Sequence, residues 1–179
     1  MRHPIASRLD RSIVLVGLMG AGKSTIGRRL ARRLDLPFVD SDEAIADAAG
    51  YPAAEVFERF GEAEFRDGER RLVARLAKGP VQVIATGGGA FVDGDTRRLL
   101  NRHCHTVWLD APVEVLAERT GRRDTRPLLR GTDREAKLRQ LLDDRRAFYA
   151  EAHLHVRSSQ VAHQDVVDRI LAALEDHLP

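Results

Sequence analysis

A glycine-rich loop between an apolar run and a helical pattern constrains the fold of this chain more than any other feature. Residues 17–24 match G-x-x-x-x-G-K-[ST] at every fixed position and directly follow the apolar run 12–16. In such a loop, successive backbone N–H groups point at phosphate oxygens, and the following helix adds the positive end of its dipole. The sequence therefore predicts a strand, a phosphate-binding loop and a helix in succession.

The residue types in this loop suit nucleotide phosphates and Mg²⁺. Gly17, Gly20 and Gly22 allow positive φ angles and a close approach of the backbone to a ligand. Lys23 supplies a mobile positive charge for the β- and γ-phosphates, and the Ser24 hydroxyl is suited to Mg²⁺. A strand-turn-helix corner that merely uses glycines is the alternative. The predicted nucleotide-binding residues here are Gly20, Ala21, Gly22, Lys23, Ser24 and Thr25.

Short apolar runs alternate with helical patterns along the chain. Ile26, Leu30 and Leu34 recur at helical spacing, and a similar stripe at 166–174 predicts a closing amphipathic helix. Such alternation indicates right-handed β-α-β units, and hence an α/β fold with a parallel sheet covered by helices on both faces. The candidate strands are residues 12–16, 36–40, 81–86 and 105–109, with a weaker candidate at 153–157.

The composition argues against several function classes. At 179 residues the chain is long enough for a sizeable core, so we expect a single domain over 1–179, and its size favours a monomer. Lys and Arg number 29 against 27 Asp and Glu, which argues against nucleic acid as the main partner. No apolar run is long enough to span a membrane and no secretory pattern follows Met1, so we expect a cytoplasmic protein without a membrane partner. The single Cys104 excludes an internal disulfide.

Two carboxylates follow the second candidate strand. Ligands of an open parallel sheet bind beyond the carboxyl ends of its strands, where Asp40 and Asp42 are expected. The third strand has no carboxylate, so Asp40 is the best candidate to bind Mg²⁺ together with Ser24. Asp42 can accept the proton of a substrate hydroxyl or orient that hydroxyl. The alternative is that one aspartate caps the helix expected near Glu43.

Three consecutive glycines follow the third candidate strand. Such a run carries a high entropic cost on folding, which suggests that a ligand lies against bare backbone. A flexible turn explains the glycines nearly as well, but their position at the carboxyl end of a strand favours the ligand. The predicted substrate contacts are Gly87, Gly88 and Gly89.

Two arginines are candidates for holding an anionic substrate. Arg66 precedes Glu69 by three residues, and Glu69 lies on the apolar stripe of its helix, so an inward Glu69 would orient Arg66 for bidentate binding. An exposed ion pair is the alternative. Arg146 shares a predicted helix face with Leu142 and Tyr149, and either points into the site or extends along the edge of the core.

A segment rich in glycine and arginine, at about 121–131, is predicted to be a mobile lid. Pro127 holds Arg126 extended, so lid closure would bring the guanidinium of Arg126 to the transferring phosphate. The sequence thus predicts a third positive charge for the phosphates besides Lys23 and Mg²⁺.

Taken together, these motifs make the chain resemble the shikimate kinase family over roughly 11–160. Each motif alone has low specificity, whereas the whole set in this order is specific. No central position departs from the family pattern. The resemblance is carried by the phosphate loop 17–27, by 40–42, by Phe57 with 64–66 and Glu69, by 86–90, by 126–129 and by 146–149.

The resemblance implies transfer of the ATP γ-phosphoryl group to the 3-hydroxyl of shikimate, in the pathway to chorismate and aromatic amino acids. It implies a three-layer P-loop kinase fold, shared with nucleoside monophosphate kinases, with a five-stranded parallel sheet and substrate-binding helices at about 43–77. The implied catalytic residues are Lys23, Asp42 as the base, and Arg126, which contacts the phosphates. The implied substrate residues are Asp42, Arg66, Gly87, Gly88, Gly89 and Arg146, and Arg119 and Gln160 fall on the adenine side.

Other functions of the same phosphate loop are less consistent with these residues. A kinase for gluconate or a nucleoside monophosphate would not require residues 40–42, Arg66 and 87–89 together. A regulator that binds nucleotide without catalysis should lack Lys23, Asp42 or Arg126, and all three are present. A GTPase is disfavoured because no Asn-Lys-x-Asp guanine signature occurs.

Overall fold

A computed structural model describes residues 2–121, 133–159 and 161–179 of the chain. Its strands are β1 (Ile13–Val16), β2 (Phe38–Asp40), β3 (Val83–Ala85), β4 (His105–Asp110) and β5 (Leu154–Arg157). They form one sheet in the order β2-β3-β1-β4-β5, and every neighbouring pair is parallel. All five predicted strands are confirmed, the weak fifth candidate included.

Eight α-helices in the described part of the chain flank this sheet. They are α1 (Lys23–Leu34), α2 (Ser41–Ala49), α3 (Ala53–Phe60), α4 (Glu62–Ala77), α5 (Gly94–His103), α6 (Val113–Gly121), α7 (Arg134–Tyr149) and α8 (His163–His177). Short 3₁₀ turns occur at Pro4–Ser7 and Ala90–Val92. The alternating α/β architecture is the one that the sequence predicts.

The central strand β1 shows why the sheet needs helices on both faces. All four of its side chains are completely buried, as expected for a parallel strand covered on both sides. The predicted stripe of α1 packs into this core with Ile26, Leu30 and Leu34 fully buried, and α1 also packs against α8. Each fully buried side chain of this size contributes on the order of 1.5–3 kcal/mol of transfer free energy.

The strand register brings the site's loops to one edge of the sheet. Asp40 at the end of β2 lies opposite Ala85 at the end of β3, and Ala85 also lies opposite Leu15 in β1. Because these strands are parallel and end level, the segments that follow them leave the sheet side by side. The phosphate loop, the Asp40 segment and the glycine turn after β3 are therefore neighbours.

A small second apolar cluster fixes α4 relative to α2 and α3. It is centred on Ile45, Val56 and Phe65, each less than one tenth exposed. Phe57 packs edge-on against Phe65, with ring centroids 5.6 Å apart. This packing determines the rotation of α4 and therefore the direction of its polar side chains.

Cys104 is fully buried in the main core, and burial raises the pKa of its thiol to about 12. It therefore stays protonated at neutral pH, as expected for an inert core thiol. Among the described residues, no helix combines the length and the apolar character that a membrane crossing requires.

Candidate active site

The loop between β1 and α1 has the backbone conformation that its glycines predict. Gly17, Gly20 and Gly22 all have positive φ, at 143°, 85° and 91°. A Cβ at Gly17 would lie 2.6 Å from the carbonyl oxygen of Leu109, so no side chain fits there. The loop is consequently packed against the end of β4 and leads directly into the N-terminus of α1.

The Lys23 side chain is nine-tenths buried inside this loop. Its ammonium donates hydrogen bonds to the carbonyl oxygens of Gly17, at 2.6 Å, and Leu18, at 2.9 Å. These contacts hold the charge beneath the phosphate loop. Because lysine is a point charge on a flexible stem, the ammonium can turn toward a phosphate without moving the backbone.

Asp40 connects the phosphate loop to α2. Its Oδ1 accepts hydrogen bonds from the backbone N–H groups of Asp42, at 2.9 Å, and Glu43, at 3.2 Å, and so caps α2. Its Oδ2 accepts a hydrogen bond from the Ser24 hydroxyl. The capping aspartate is thus Asp40, and the side chain of Asp42 is not used for capping.

A cavity of about 320 Å³ opens where these segments meet. Its lining carries both signs of charge: Lys23 and Arg119 are positive, and Asp40 and Asp42 are negative. Such a site can hold a phosphate chain beside a carboxylate that faces a substrate. The lining residues are Gly20, Gly22, Lys23, Ser24, Thr25, Asp40, Asp42, Thr86, Gly87, Gly88, Arg119, Thr120 and His163.

The glycine turn after β3 brings bare backbone against charged side chains. The N–H of Gly87 donates to Ser41 Oγ at 3.1 Å, and a Cβ at Gly87 would lie 2.9 Å from Asp42 Oδ1. A Cβ at Gly89 would lie 2.5 Å from Nη2 of Arg66. The close approach of these charged side chains therefore requires glycine at 87 and 89, and a flexible turn alone does not account for the two residues.

Arg66 and Glu69 form a partly buried ion pair on α4. Arg66 Nη1 donates to Glu69 Oε1 at 2.9 Å, and Glu69 is only 3% exposed. Burial raises the pKa of Glu69, and the nearby Asp42 adds to this, while Arg66 and Arg145 oppose it. Glu69 Oε2 has no hydrogen-bond partner among the described residues. The predicted inward orientation of Glu69 is confirmed.

Arg145, and not the predicted Arg146, completes this charged cluster. Its Nη1 is buried, has no hydrogen-bond partner among the described residues and would lie 3.7 Å from a Cβ at Gly88. Burial raises the pKa of Tyr149, and the charge of Arg145 opposes this. The Tyr149 hydroxyl donates to the carbonyl oxygen of Gly88 at 2.5 Å. The glycine turn is therefore held between Arg66 and the pair Arg145–Tyr149.

The structure does not bring Arg146, one of the predicted substrate residues, to this cluster. Arg146 is exposed and lines a separate cavity of about 490 Å³ with Asp110, Arg157 and Arg169. Successive residues of a helix are rotated by about 100°, so Arg145 and Arg146 cannot face the same site. Tyr149 lies four residues after Arg145, the spacing that places two side chains on one face.

The side of the cavity next to α6 includes two residues that were not predicted from the sequence, Thr120 and His163. Arg119 Nη1 donates to the carbonyl oxygen of Gly20 at 3.2 Å, as expected for a residue near the nucleotide. Thr120 and His163 line the same wall, and burial, with Arg119 and Arg29, lowers the pKa of His163. No motif or spacing marks Thr120 or His163, so the sequence alone held no signal for them.

Comparison with known proteins identifies the family. The sequence model described as shikimate kinase matches residues 19–175. The chain belongs to the shikimate kinase family. The shikimate kinase of Caulobacter vibrioides is 52% identical over 164 residues, which are 92% of this chain and 82% of that protein. The shikimate kinase of Zymomonas mobilis is 48% identical over 94% of this chain and 96% of its own length.

A solved structure supports the same family assignment. The shikimate kinase from Acinetobacter baumannii in complex with shikimate is 39% identical, with a TM-score of 0.90 over 93% of this chain and 94% of that chain. The shikimate kinase fold therefore extends over nearly all of this sequence, and the expected P-loop kinase fold is confirmed.

Most of the residues that the shikimate kinase resemblance assigns come together here. Ala21 is a buried residue of the phosphate loop, and Gly89 and Arg66 adjoin the cavity through the glycine turn. Arg126, Gln160 and the proposed lid after Gly121 lie outside the described residues.

Proposed function

We propose that this chain transfers the γ-phosphoryl group of ATP to the 3-hydroxyl of shikimate. The observation that carries the proposal is the meeting of Asp42, the Arg66–Glu69 pair and the glycine turn beside the phosphate loop. In this reaction the hydroxyl oxygen forms a bond to Pγ, the bond from Pγ to the bridging β-phosphate oxygen breaks, and ADP leaves. The proton of the hydroxyl passes to Asp42.

On the acceptor side, the cluster fits a small carboxylate with hydroxyl groups. Arg66 and Arg145 flank the glycine turn, so two guanidinium groups are available for the shikimate carboxylate. Glu69 orients Arg66 through its hydrogen bond. Asp42 lies between this cluster and the phosphate loop, where it can receive the proton of the attacking hydroxyl. We propose Arg145, in place of Arg146, as the second substrate arginine.

On the donor side, the chain contributes position and positive charge. Phosphoryl transfer needs little covalent help, so orientation and charge neutralisation supply most of the rate. The loop N–H groups bind the phosphates, and Lys23 exchanges its contacts with the loop carbonyls for phosphate oxygens. We further propose that Arg126 contacts the transferring phosphate and that Arg119 and Gln160 lie at the adenine.

The residues beside the loop fit a Mg²⁺ ion. Mg²⁺ prefers hard oxygen ligands and commonly binds through one or two protein groups plus phosphates and water. The Ser24 hydroxyl and Asp40 Oδ2 contact each other at the cavity and offer such oxygens, while Asp40 Oδ1 stays committed to the cap. A bound Mg²⁺ would neutralise phosphate charge, and Ser24 and Asp40 would hold it.

We propose one kinase domain over 1–179, with substrate contacts from the helices in 43–77 and a lid at about 121–131. A monomeric state and a cytoplasmic location stay predictions from the sequence.

The acceptor is tested by measuring ADP release from ATP and Mg²⁺ in a coupled assay. Shikimate, gluconate, AMP and a reaction without acceptor are compared at equal concentration. Turnover with shikimate alone is expected. Turnover with gluconate or AMP and none with shikimate would overturn the proposed acceptor and leave only the nucleotide site.

Changing either of two adjacent arginines separates the two possible substrate contacts. Arg145→Ala should raise the KM for shikimate by about 10- to 100-fold, because a hydrogen-bonded charged contact is worth about 1.5–3 kcal/mol. Arg146→Ala removes the same charge one residue away, from an exposed position in another cavity, and should leave this KM unchanged. Steady-state kinetics of both variants measure the difference, and the reverse pattern would restore Arg146.

A methyl group on the glycine turn should displace Arg66. In Gly89→Ala the new Cβ would lie within 2.6 Å of three guanidinium atoms, so the flexible Arg66 side chain must move away from its present position. The KM for shikimate should rise by about 10-fold or more, as expected for loss of a charged hydrogen bond.

Gly68→Ala is the matched control for this change. Nothing lies within 4 Å of a Cβ at Gly68, which is inside α4. This variant should keep the KM and gain about 0.5–1 kcal/mol of stability from helix propensity. Equal KM values for Gly89→Ala and the unaltered enzyme would show that Arg66 is not needed in its present position.

A further inference from the structure

Three histidines converge at the edge of the sheet opposite the phosphate loop. His105 is the first residue of β4, His153 directly precedes β5, and His177 is the last residue of α8. One potential ligand atom from each residue lies within 4.8 Å of the other two. The ring of His177 lies 5.3 Å from that of His105 and 5.5 Å from that of His153, centroid to centroid. Three separate segments therefore each bring one imidazole to the same place.

The hydrogen bonds of His105 leave one nitrogen available. Its Nε2 lies 3.0 Å from Asp10 Oδ1, so the tautomer with a proton on Nε2 donates to this carboxylate. The opposite nitrogen, Nδ1, is buried and has no hydrogen-bond partner among the described residues, and the side chain is only 7% exposed. A buried nitrogen lone pair without a partner is costly, and a histidine whose other nitrogen donates to a carboxylate is the usual arrangement of a metal ligand.

His153 has to rearrange before it can bind a metal. Its Nδ1 accepts a hydrogen bond from the backbone N–H of Thr106 at 3.2 Å, so the neutral ring carries its proton on Nε2 and offers no free lone pair in this position. Rotation of this exposed side chain, with release of the Thr106 N–H, would make a ring nitrogen available to the metal. Burial lowers the pKa values of both His105 and His153, and the neighbouring His177 lowers them further, whereas the contact with Asp10 opposes this shift at His105. Both rings therefore favour the neutral form, which is the form that binds metal ions.

We propose that His105, His153 and His177 form a binding site for a divalent transition metal of the Zn²⁺ class. Imidazole nitrogen suits Zn²⁺, and a three-histidine site leaves a fourth position for water. Tetrahedral Zn²⁺ with bonds of about 2.0 Å needs nitrogens about 3.3 Å apart. His153 and His177 are exposed, so rotation of these side chains can close the present distances around buried His105.

Because the three histidines lie far from the phosphate loop, a metal bound there would have a structural effect and not a catalytic one. His105 begins β4, whereas the carboxyl ends of the strands border the phosphate loop. A metal here would connect the C-terminal end of α8 to β4 and to the segment before β5. It would bind the folded chain only, and so raise the melting temperature without changing kcat.

Zn²⁺ itself is the probe, added to protein that has been treated with a chelator and contains no nucleotide. Isothermal titration is expected to give one equivalent bound, and Co²⁺ should give the visible absorption of a tetrahedral site. His177→Ala and His153→Ala should each weaken Zn²⁺ binding by tenfold or more and abolish the Zn²⁺-dependent rise in melting temperature. Asp10→Asn should weaken binding by about 10- to 100-fold through the orientation of His105.

His155→Gln is the control for general histidine binding. His155 lies elsewhere, with Nε2 2.9 Å from Asp110 Oδ2 and its ring stacked on Trp108, so its loss should leave Zn²⁺ binding unchanged. Circular dichroism of each variant without metal verifies folding, and His177→Gln replaces His177→Ala if the latter is unfolded. Absence of Zn²⁺ binding, or binding that survives loss of both His153 and His177, would overturn the proposal.

Discussion

Replacing Asp42 with asparagine is expected to lower kcat for shikimate phosphorylation by about 10²- to 10⁴-fold, the usual contribution of a positioned general base. The amide would keep the size of the side chain beside the glycine turn but could not take the proton of the hydroxyl. The KM for shikimate should change much less than kcat, because Arg66 and Arg145 remain. Steady-state kinetics with the coupled ADP assay measure both constants.

The control for Asp42 is Asp47→Asn, which removes the same charge from an exposed position of the same helix. It should leave kcat and KM unchanged. Normal turnover by Asp42→Asn would contradict the role of Asp42 as the base. A loss confined to KM would make Asp42 a substrate contact only.

Replacing Lys23 with alanine is expected to lower kcat by about 10²- to 10³-fold, the magnitude found when one preorganised donor to developing charge is removed. Lys23 is the positive charge inside the phosphate loop, and no backbone group can replace it. The variant also leaves the carbonyl oxygens of Gly17 and Leu18 without the donor they have now. A thermal melt is therefore measured beside the kinetics, to separate catalysis from folding.

Lys78→Ala is the matched control for this change, because Lys78 is exposed at the end of α4. It should leave kcat unchanged. A Lys23→Ala variant that melts normally and turns over at the normal rate would contradict the assignment of Lys23 to the phosphates.

Much of the site could be predicted because its signals are local in sequence. The phosphate loop combines fixed residues with a strand before it and a helix after it, so backbone and chemistry are specified together. The inward Glu69 follows from helical periodicity, and its partner Arg66 follows from the spacing of three. Asp40 and Asp42 were separable only in part, since sequence cannot tell which carboxylate caps α2.

The parts that sequence missed depend on helix rotation and long-range packing. On α7, Leu138, Leu141, Leu142 and Tyr149 are all buried, so the buried face is wide and either Arg145 or Arg146 can adjoin it. Only contact with the glycine turn of another segment decides for Arg145. Likewise His105, His153 and His177 lie in three different segments, and nothing in their spacing predicts that they meet.

The most direct test of the account is a crystal structure of the chain with shikimate and an unreactive ATP analogue. The quantity to measure is the distance from the Asp42 carboxylate to the 3-hydroxyl oxygen of shikimate. We predict a hydrogen bond of about 2.6–3.2 Å, with the shikimate carboxylate on Arg66 and Arg145. A hydroxyl beyond reach of Asp42, or a carboxylate bound to Arg146, would contradict the account.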